Sequence, residues 1–268
     1  MTDTSKYKNI RHLQIQPKYT FREEWTAFAE SEGLSYEVLE LSAPPALNES
    51  GFFKTCRDWY LETGRVTSVH GYFIDINPAS GDLAFRTFSQ KKCRESCEIA
   101  EYLGAKNVVF HGSCFPFLRE RYLEAWAGVC AEFYERLAEE YQMNIFVENS
   151  FDIDTVPLKE LMHRVYDKRV GVCLDLGHAN YSNDPIEKWF EDLGDKIGYI
   201  HISDNMGQYD DHVNVGEGTV DWEKADRLWR ELDRDMPVTL EVEMIDDIRI
   251  SIDYLRSNGF FLKGNEWL

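Results

Sequence analysis

The run Val170-Gly171-Val172-Cys173-Leu174-Asp175 decides the fold, because it is apolar over the length of a buried strand and ends on a carboxylate. Five other runs follow the same rule, and each ends on a side chain that can bind a metal ion. Their last residues are His70, His111, Glu148, His201 and Glu241. Buried parallel strands present their last residues at one rim, so the pattern predicts a metal centre at that rim.

Eight strand candidates alternate with helical segments along the chain. The approximate bounds of the strands are 11–16, 36–41, 66–71, 107–112, 144–149, 170–176, 197–203 and 237–242. Amphipathic patterns predict helices that include residues 21–33, 89–103, 118–141, 157–167, 222–234 and 246–257. No Pro/Gly/Ser-rich linker divides the 268 residues, so we expect an α/β fold, with one (β/α)8 TIM barrel domain over residues 1–268. An open doubly wound sheet is the alternative, but it predicts a glycine-rich turn after strand one that this sequence lacks.

The overall composition restricts the classes of partner. The formal net charge is −19 and no basic run is present, which makes a nucleic-acid partner an unfavoured but open possibility. No stretch of 18 residues is apolar, and the first eight residues lack the apolar core of a signal peptide, so we expect a cytoplasmic protein without a membrane span. The six cysteines show no CxxC pair and are expected to be buried and reduced. We expect a small-molecule substrate, and a homo-oligomer is left open.

Further candidate ligands follow the strand ends. His178 comes three residues after Asp175, across a turn at Gly177, so both side chains can reach one centre. Asp210 and His212 are two residues apart, a spacing that lets both side chains point the same way from extended backbone. A surface histidine or an ordinary acidic loop is the competing interpretation of each motif.

Glu148 and Glu241 are the candidate catalytic residues, because a carboxylate at the end of a buried strand must be paired or metal-bound. Across a barrel mouth, one of them can remove a proton from a substrate and the other can return it. Glu243 is the competing acid. It is two residues after Glu241, so its side chain is expected on the same face of the strand but further from the barrel. Aromatic residues are frequent in the same loops, and one or two of them are expected to line the substrate pocket. They are Tyr72, Phe73, Phe115, Phe117, Phe151 and Tyr181.

Together these motifs resemble the xylose isomerase-like TIM barrel superfamily, which contains sugar epimerases, inosose-type isomerases and dehydratases, and endonuclease IV. The resemblance lies in residues 147–149, 173–178, 201–204, 210–218 and 240–242. The sugar enzymes of this superfamily imply one divalent ion (Mn, Zn, Mg or Co) and a proton-transfer pair formed by Glu148 and Glu241. The implied metal ligands are Glu148, Asp175, His201 and Glu241, and His178 is implied to contact substrate hydroxyls.

Endonuclease IV implies a different site with up to three zinc ions. Its additional ligand positions match His70, His111, His178, Asp210 and His212, so this sequence has a candidate at every one of them. Against that branch stand the acidic charge and the segment 12–16, which does not match its Gly-His-Val-Ser-type first strand. Against the sugar enzymes, residues 205–208 hold no arginine, whereas an arginine often follows the strand-seven histidine in epimerases.

We therefore expect a divalent-metal-dependent isomerase or epimerase that acts by proton transfer on a small sugar, sugar phosphate or cyclitol-type carbonyl compound. An endonuclease IV-like phosphodiester hydrolase with two or three zinc ions is the first alternative. A barrel that binds a metal or metabolite without turnover is the second. The sequence leaves open the substrate, its stereochemistry, the metal and the oligomeric state.

Overall fold

The structure, a computed structural model, describes residues 12–43, 46–115 and 121–261. Eight short parallel strands form a closed barrel, in which each strand pairs with the next and the eighth pairs with the first. The strands are β1 (Leu13–Ile15), β2 (Ser35–Val38), β3 (Val66–His70), β4 (Asn107–His111), β5 (Asn144–Glu148), β6 (Val170–Asp175), β7 (Ile197–Ile202) and β8 (Val238–Leu240). The predicted (β/α)8 barrel is confirmed, and the open sheet is excluded.

Nine α-helices in the described residues surround this barrel, and at least one follows each strand. They are α1 (Arg22–Glu32), α2 (Ser50–Thr63), α3 (Leu83–Leu103), α4 (Arg121–Tyr141), α5 (Val156–Met162), α6 (Leu176–Tyr181), α7 (Ile186–Leu193), α8 (Trp222–Glu231) and α9 (Ile245–Asn258). Gly104 follows helix α3, and its φ of 77° is a left-handed conformation that favours glycine. Asp221 caps α8 by accepting a hydrogen bond from the backbone of Lys224.

Several predicted boundaries are wrong, including the end of α8, which lies at Glu231 and not at residue 234, and two of the errors have identifiable reasons. Strand β2 ends at Val38, and the next residues form a 3-10 turn at Glu40–Ser42. Leu41 in that turn is buried, so the apolar pattern continues although the strand does not. Helix α5 ends at Met162 and not at residue 167, because residues 163–169 turn back towards β6. The predicted start of α4 and the first residue of strand one fall outside the described residues.

The strand register brings the ends of neighbouring strands together at one rim of the barrel. His111 pairs with Glu148, and Asp175 pairs with His201, across neighbouring strands. Below them, Phe146 and Tyr199 fill the barrel interior, with ring centroids 5.4 Å apart. The barrel interior is therefore apolar, and the polar residues at the strand ends lie at the carboxyl rim, where barrels of this kind have their active sites.

All six cysteines are buried and none forms a disulfide. Within the described ranges, no helix is both long and apolar enough to span a membrane.

Candidate metal centre

A cavity of about 1830 Å³ opens at the carboxyl ends of the strands. Seven of the predicted site residues line it: His70, His111, Glu148, His178, Asp210, His212 and Glu241. The other two, Asp175 and His201, are fully buried. The structure therefore brings all nine predicted residues to one rim of the barrel.

Four donors form the most deeply buried group of this site. Glu148, Asp175, His201 and Glu241 each offer a ligand atom, and these atoms lie within 4.8 Å of one another. His201 Nδ1 lies 3.5 Å from Glu148 Oε2 and 3.3 Å from Glu241 Oε1. Ligands held at about 2.1 Å from one ion are themselves about 3.0–3.4 Å apart. The spacing of these atoms is therefore close to that of a coordination shell.

The same group contains buried polar atoms that lack a hydrogen-bond partner. They are Glu148 Oε2, Asp175 Oδ2 and His201 Nδ1. Buried polar atoms are nearly always paired, and a buried carboxylate oxygen without a partner is costly. A divalent cation among the three atoms satisfies all of them at once. The residues present therefore fit a metal ion.

The local sequence around Asp175 explains how one of its oxygens is kept for the site. Asp175 is the N-cap of α6, and its Oδ1 accepts a hydrogen bond from the backbone N–H of His178 at 2.6 Å. The Asn149 side chain pairs with the backbone N–H and C=O of Asp175, which fixes the end of β6. Gly177 is needed because a Cβ there would lie 2.6 Å from Ser203 Oγ.

Without a metal ion, the carboxyl groups of this site differ in their pKa values. Burial raises the pKa of Asp175 to about 7, and the neighbouring Glu241 and Glu148 carboxylates push it in the same direction. Burial also opposes the ionised form of Glu241, but the charge and hydrogen bond of His201 outweigh it and lower the pKa of Glu241 to about 2. The metal-free centre therefore keeps Asp175 as the carboxyl group that holds a proton.

We expect this raised pKa to appear in the stability of the metal-free protein. The ordinary pKa of Asp175 is 3.8 and the folded value is about 7. Between those values the folded state holds a proton that the unfolded state has released, so stability falls as pH rises from about 4 to about 7. Asp175→Asn removes this dependence. Urea unfolding of chelated wild type and variant across this pH range checks it, and identical pH profiles for the two proteins would contradict it.

A second group lies against Glu148 on the side of β3 and β4. His70 Nε2 and His111 Nε2 lie 3.5 Å and 3.6 Å from Glu148 Oε2. The Nδ1 of His70 is 3.0 Å from the carbonyl oxygen of Gly71, so this nitrogen carries the hydrogen and Nε2 keeps its lone pair for the site. The ring of Phe73 packs against both imidazoles, at 5.1 Å and 5.2 Å.

A third group joins the loop after β7 to the centre. Asp210 lies between two imidazoles, 3.2 Å from His178 Nε2 and 3.0 Å from His212 Nε2. His178 Nδ1 faces the other way and lies 3.1 Å from Glu148 Oε1. The predicted convergence of Asp210 and His212 is therefore present, but its proposed cause is wrong. The backbone is not extended at His212, whose φ is 46°, and its Nδ1 bonds to the carbonyl oxygen of Glu241 at 2.6 Å.

Asp204 at the end of β7 holds the loop that carries this third group. Its buried carboxylate accepts hydrogen bonds from the backbone N–H of Gly216 and Val220 and from Trp222 Nε1, at 3.0, 3.1 and 2.7 Å. Gly218 passes so close that a Cβ there would lie 2.2 Å from Asp204 Oδ1. The glycines of residues 216–218 thus allow the backbone to wrap around a carboxylate.

Gly218→Ala is expected to displace this loop and to lower the free energy of unfolding by about 1–3 kcal/mol, the usual cost of forcing an extra carbon into a packed region. Gly81→Ala is the matched control, since no atom lies within 4 Å of a Cβ built there. Urea unfolding of the two variants measures the difference. Equal stability of both would show that the loop yields freely around Asp204.

The prediction of site residues from the last residue of each strand missed Glu37 and Gln16. Glu37 is fully buried in β2, and its Oε2 lies 3.1 Å from His201 Nε2. Gln16, which follows β1, donates to Glu37 Oε1 at 2.9 Å and to Glu241 Oε1 at 2.6 Å. Glu37 is not the last residue of its strand, which is why this prediction missed it. The available signal was a charged residue in the middle of an apolar strand.

The competing acid Glu243 lies on the rim, and most of the predicted aromatic residues line the cavity. The Glu243 side chain is 75% exposed and pairs with Lys18 at 3.6 Å. Tyr72 is buried and does not line the cavity, whereas Phe73, Phe115, Phe151 and Tyr181 do. Phe117 lies outside the described residues.

Comparisons with known proteins agree with this architecture. Two uncharacterized proteins of Methanocaldococcus jannaschii are similar in sequence. MJ1311 is 29% identical over 200 residues, covering 70% of this chain and 68% of its own, and MJ1614 is 28% identical over 195 residues, covering 70% and 76%. Among solved structures, a D-tagatose 3-epimerase-like protein aligns with a TM-score of 0.71 and 26% identity, over 83% of this chain and 87% of its own.

A zinc-soaked Thermus thermophilus protein, TTHB071, shares the fold with a TM-score of 0.75 at 22% identity, over 92% of this chain and 97% of its own. The sequence profile described as "Xylose isomerase-like TIM barrel" matches residues 29–258. That match spans every strand except β1 and every helix apart from the start of α1. This chain therefore belongs to the xylose isomerase-like TIM barrel family.

Proposed function

We propose that this protein is a divalent-metal-dependent isomerase or epimerase that acts by proton transfer on a small, uncharged, polyhydroxylated carbonyl compound. The observation that carries the proposal is the placement of Glu148 and Glu241. Glu148 ends β5 and Glu241 directly follows β8, both line the same cavity, and each brings an oxygen within 3.5 Å of His201 Nδ1. Two carboxylates that meet one centre from different strands can serve as a base and an acid on two sides of a substrate.

The chain's own residues supply the proton transfers. Glu148, Asp175, His201 and Glu241 would hold the metal ion, which would act as a Lewis acid on a carbonyl and the neighbouring hydroxyl. Glu241 has a lowered pKa, so it is ionised at neutral pH and can accept a proton from the carbon next to the carbonyl. Burial opposes the ionised form of Glu148, but the imidazoles of His111, His201 and His178 outweigh it and hold the pKa of Glu148 well below the usual range, so Glu148 must receive a proton before it can deliver one on the other side. The imidazole of His178 can supply that proton, because its Nδ1 lies 3.1 Å from Glu148 Oε1.

The charges around the cavity favour an uncharged substrate over a phosphate ester or nucleic acid. Lys18 is the one lysine or arginine among the described lining residues, and it is paired with Glu243. The rim carries many carboxylates instead: Glu40, Asp75, Asp152, Asp210, Asp211 and Asp247. Phosphate sites are normally built from arginine, lysine or backbone N–H groups, and nucleic-acid sites from basic patches. The aromatic rings of Phe73, Phe115 and Phe151 give the cavity apolar walls against which a sugar ring can pack.

Exchange of substrate hydrogen with solvent tests this proposal. Metal-reconstituted protein in heavy water, incubated with a panel of free ketoses and inososes, is expected to incorporate deuterium next to the carbonyl of at least one compound. Chelation should stop the exchange, and Mn²⁺ or Co²⁺ should restore it. The 6-phosphate or 1-phosphate of the active compound should react more slowly. Failure of every compound in the panel, with metal bound, would count against isomerase chemistry.

A multi-metal phosphodiester hydrolase is the second candidate, and the two flanking donor groups favour it. The group of His70, His111 and Glu148 and the group of His178, Asp210 and His212 can each hold a further cation. In two-metal sites, neighbouring ions stabilise both the attacking and the leaving oxygen. Metal analysis separates the candidates, since the isomerase needs one ion per chain and the hydrolase two or three. Three bound ions, together with hydrolysis of bis(p-nitrophenyl) phosphate that His111→Ala abolishes, would replace the first proposal with the second.

A further inference from the structure

Glu37 is surrounded by hydrogen-bond donors on every side. Its Oε2 accepts from the hydroxyl of Tyr199 and from Thr239 Oγ1, the latter at 3.0 Å. The same oxygen lies 3.1 Å from His201 Nε2, and Oε1 accepts from Gln16 at 2.9 Å. Donors converge on both oxygens of this side chain, and this favours the ionised carboxylate, because that form only accepts and carries no hydrogen that would compete for the same positions.

This environment determines which nitrogen of His201 carries the hydrogen. An acceptor-only Glu37 requires a donor at His201 Nε2. A neutral imidazole then has its lone pair on Nδ1, and Nδ1 is the buried nitrogen without a hydrogen-bond partner that faces Glu148 and Glu241. The nitrogen that points into the four-donor group is therefore the one able to bind a cation.

Gln16 connects this arrangement to a second donor. Its amide nitrogen lies 2.6 Å from Glu241 Oε1 and 2.9 Å from Glu37 Oε1, so it bridges the two carboxylates. The two N–H groups of one amide can serve both oxygens, which fixes the rotation of the Glu241 carboxylate. Gln16 directly follows β1, Glu37 lies in β2, His201 lies in β7 and Glu241 directly follows β8. Adjacent strands thus supply both the donors and their supports.

We propose that Glu37 and Gln16 are positioning residues that fix the tautomer of His201 and the rotation of Glu241 for metal binding. Neither residue is a ligand in this proposal. Outer partners of this kind hold an imidazole in its binding tautomer and raise its basicity, and their loss typically weakens metal binding about 10–100-fold. The proposal rests on the four-donor metal site of the proposed function, but not on its isomerase chemistry.

A purely structural role for Glu37 fits the observations less well. A buried ionised carboxylate is costly, and an apolar side chain of similar volume is often as stable or more stable in such a position. The barrel interior just below is apolar, with Phe146 and Val109 beside Tyr199. A charge retained at this place is best explained by what it does to His201.

The test compares metal affinity in variants that disturb the same buried network at different points. Glu37→Gln keeps the shape but removes the negative charge, and it is expected to weaken binding of Zn²⁺ or Co²⁺ about 10–100-fold in competition with a chromogenic chelator. Tyr199→Phe is the matched control, because it removes a hydrogen bond to Glu37 without removing the contact to His201. It is expected to bind metal within about threefold of the wild type. The visible absorption of bound Co²⁺ should change in Glu37→Gln and stay unchanged in Tyr199→Phe.

Gln16→Met provides an independent variant, because Gln16 lies at the cavity and its replacement should leave the barrel intact. It is expected to weaken metal binding about tenfold, and its effect should not add fully to that of Glu37→Gln, since the two share partners. Wild-type affinity in Glu37→Gln, or an equal loss in Tyr199→Phe, would overturn the proposal. Metal binding that depends on Glu37 in a protein without exchange activity would uphold it and reject only the isomerase function.

Discussion

Glu241→Gln is expected to reduce exchange of substrate hydrogen with solvent by about 10²–10⁴-fold, the usual cost of removing a proton-transfer group. The amide keeps the size of the side chain and can still accept from Gln16, but it cannot take up a proton. Since Glu241 is also a proposed ligand, the assay requires saturating metal and a parallel measurement of metal content. A variant that holds metal but does not exchange isolates the chemical role.

Glu243→Gln is the matched control for this experiment. Glu243 lies two residues along the same segment, but its side chain is 75% exposed and its ion pair with Lys18 is on the rim. Its replacement is expected to leave exchange within about twofold, because exposed ion pairs contribute little. Similar losses in both variants would show that negative charge at the mouth matters, and not the particular carboxylate at the centre.

His201→Gln is expected to abolish tight metal binding, with a loss in affinity greater than the roughly 100-fold upper range for outer-shell changes. The imidazole is fully buried and is the one nitrogen ligand in the four-donor group. Asp175→Asn is expected to behave in the same way, since it removes the oxygen that has no other partner. Equilibrium dialysis against Zn²⁺ or Mn²⁺, followed by elemental analysis, measures both.

Cys93→Ala provides the comparison for metal loss. Cys93 is buried in α3, away from the cavity, and burial raises the pKa of its thiol far above the range in which thiolates bind metals. This variant should bind metal as the wild type does. Retention of metal by His201→Gln, or equal loss in Cys93→Ala, would mean that the centre lies elsewhere.

Much of this site could be predicted from the strand ends alone, because all strands of a parallel barrel end at the same rim. His111, Glu148, Asp175 and His201 follow from that rule, and the register places His111 opposite Glu148 and Asp175 opposite His201. Glu37 does not follow from it. The residue lies in the interior of β2, and its importance depends on a contact with β7, a strand 160 or more positions away in sequence.

Loop geometry was also beyond sequence reasoning. The sequence identified Asp210 and His212 as a pair, but the left-handed backbone at His212 depends on a tertiary hydrogen bond to Glu241. The role of Asp204 was hidden for a similar reason. A carboxylate after a strand resembles a ligand, whereas this one accepts backbone hydrogen bonds from a loop 12–16 residues later.

Glu148 belongs both to the four-donor group and to the group formed with His70 and His111. Its Oε2 lies 3.5 Å from His201 Nδ1, and 3.5 and 3.6 Å from the Nε2 atoms of His70 and His111. One oxygen cannot bridge two cations and carry a proton in the same cycle. A second cation bound between His70, His111 and this carboxylate would hold Glu148 ionised and remove it as an acid, so the state of the two imidazoles on β3 and β4 decides which of the two candidate chemistries the same barrel can perform.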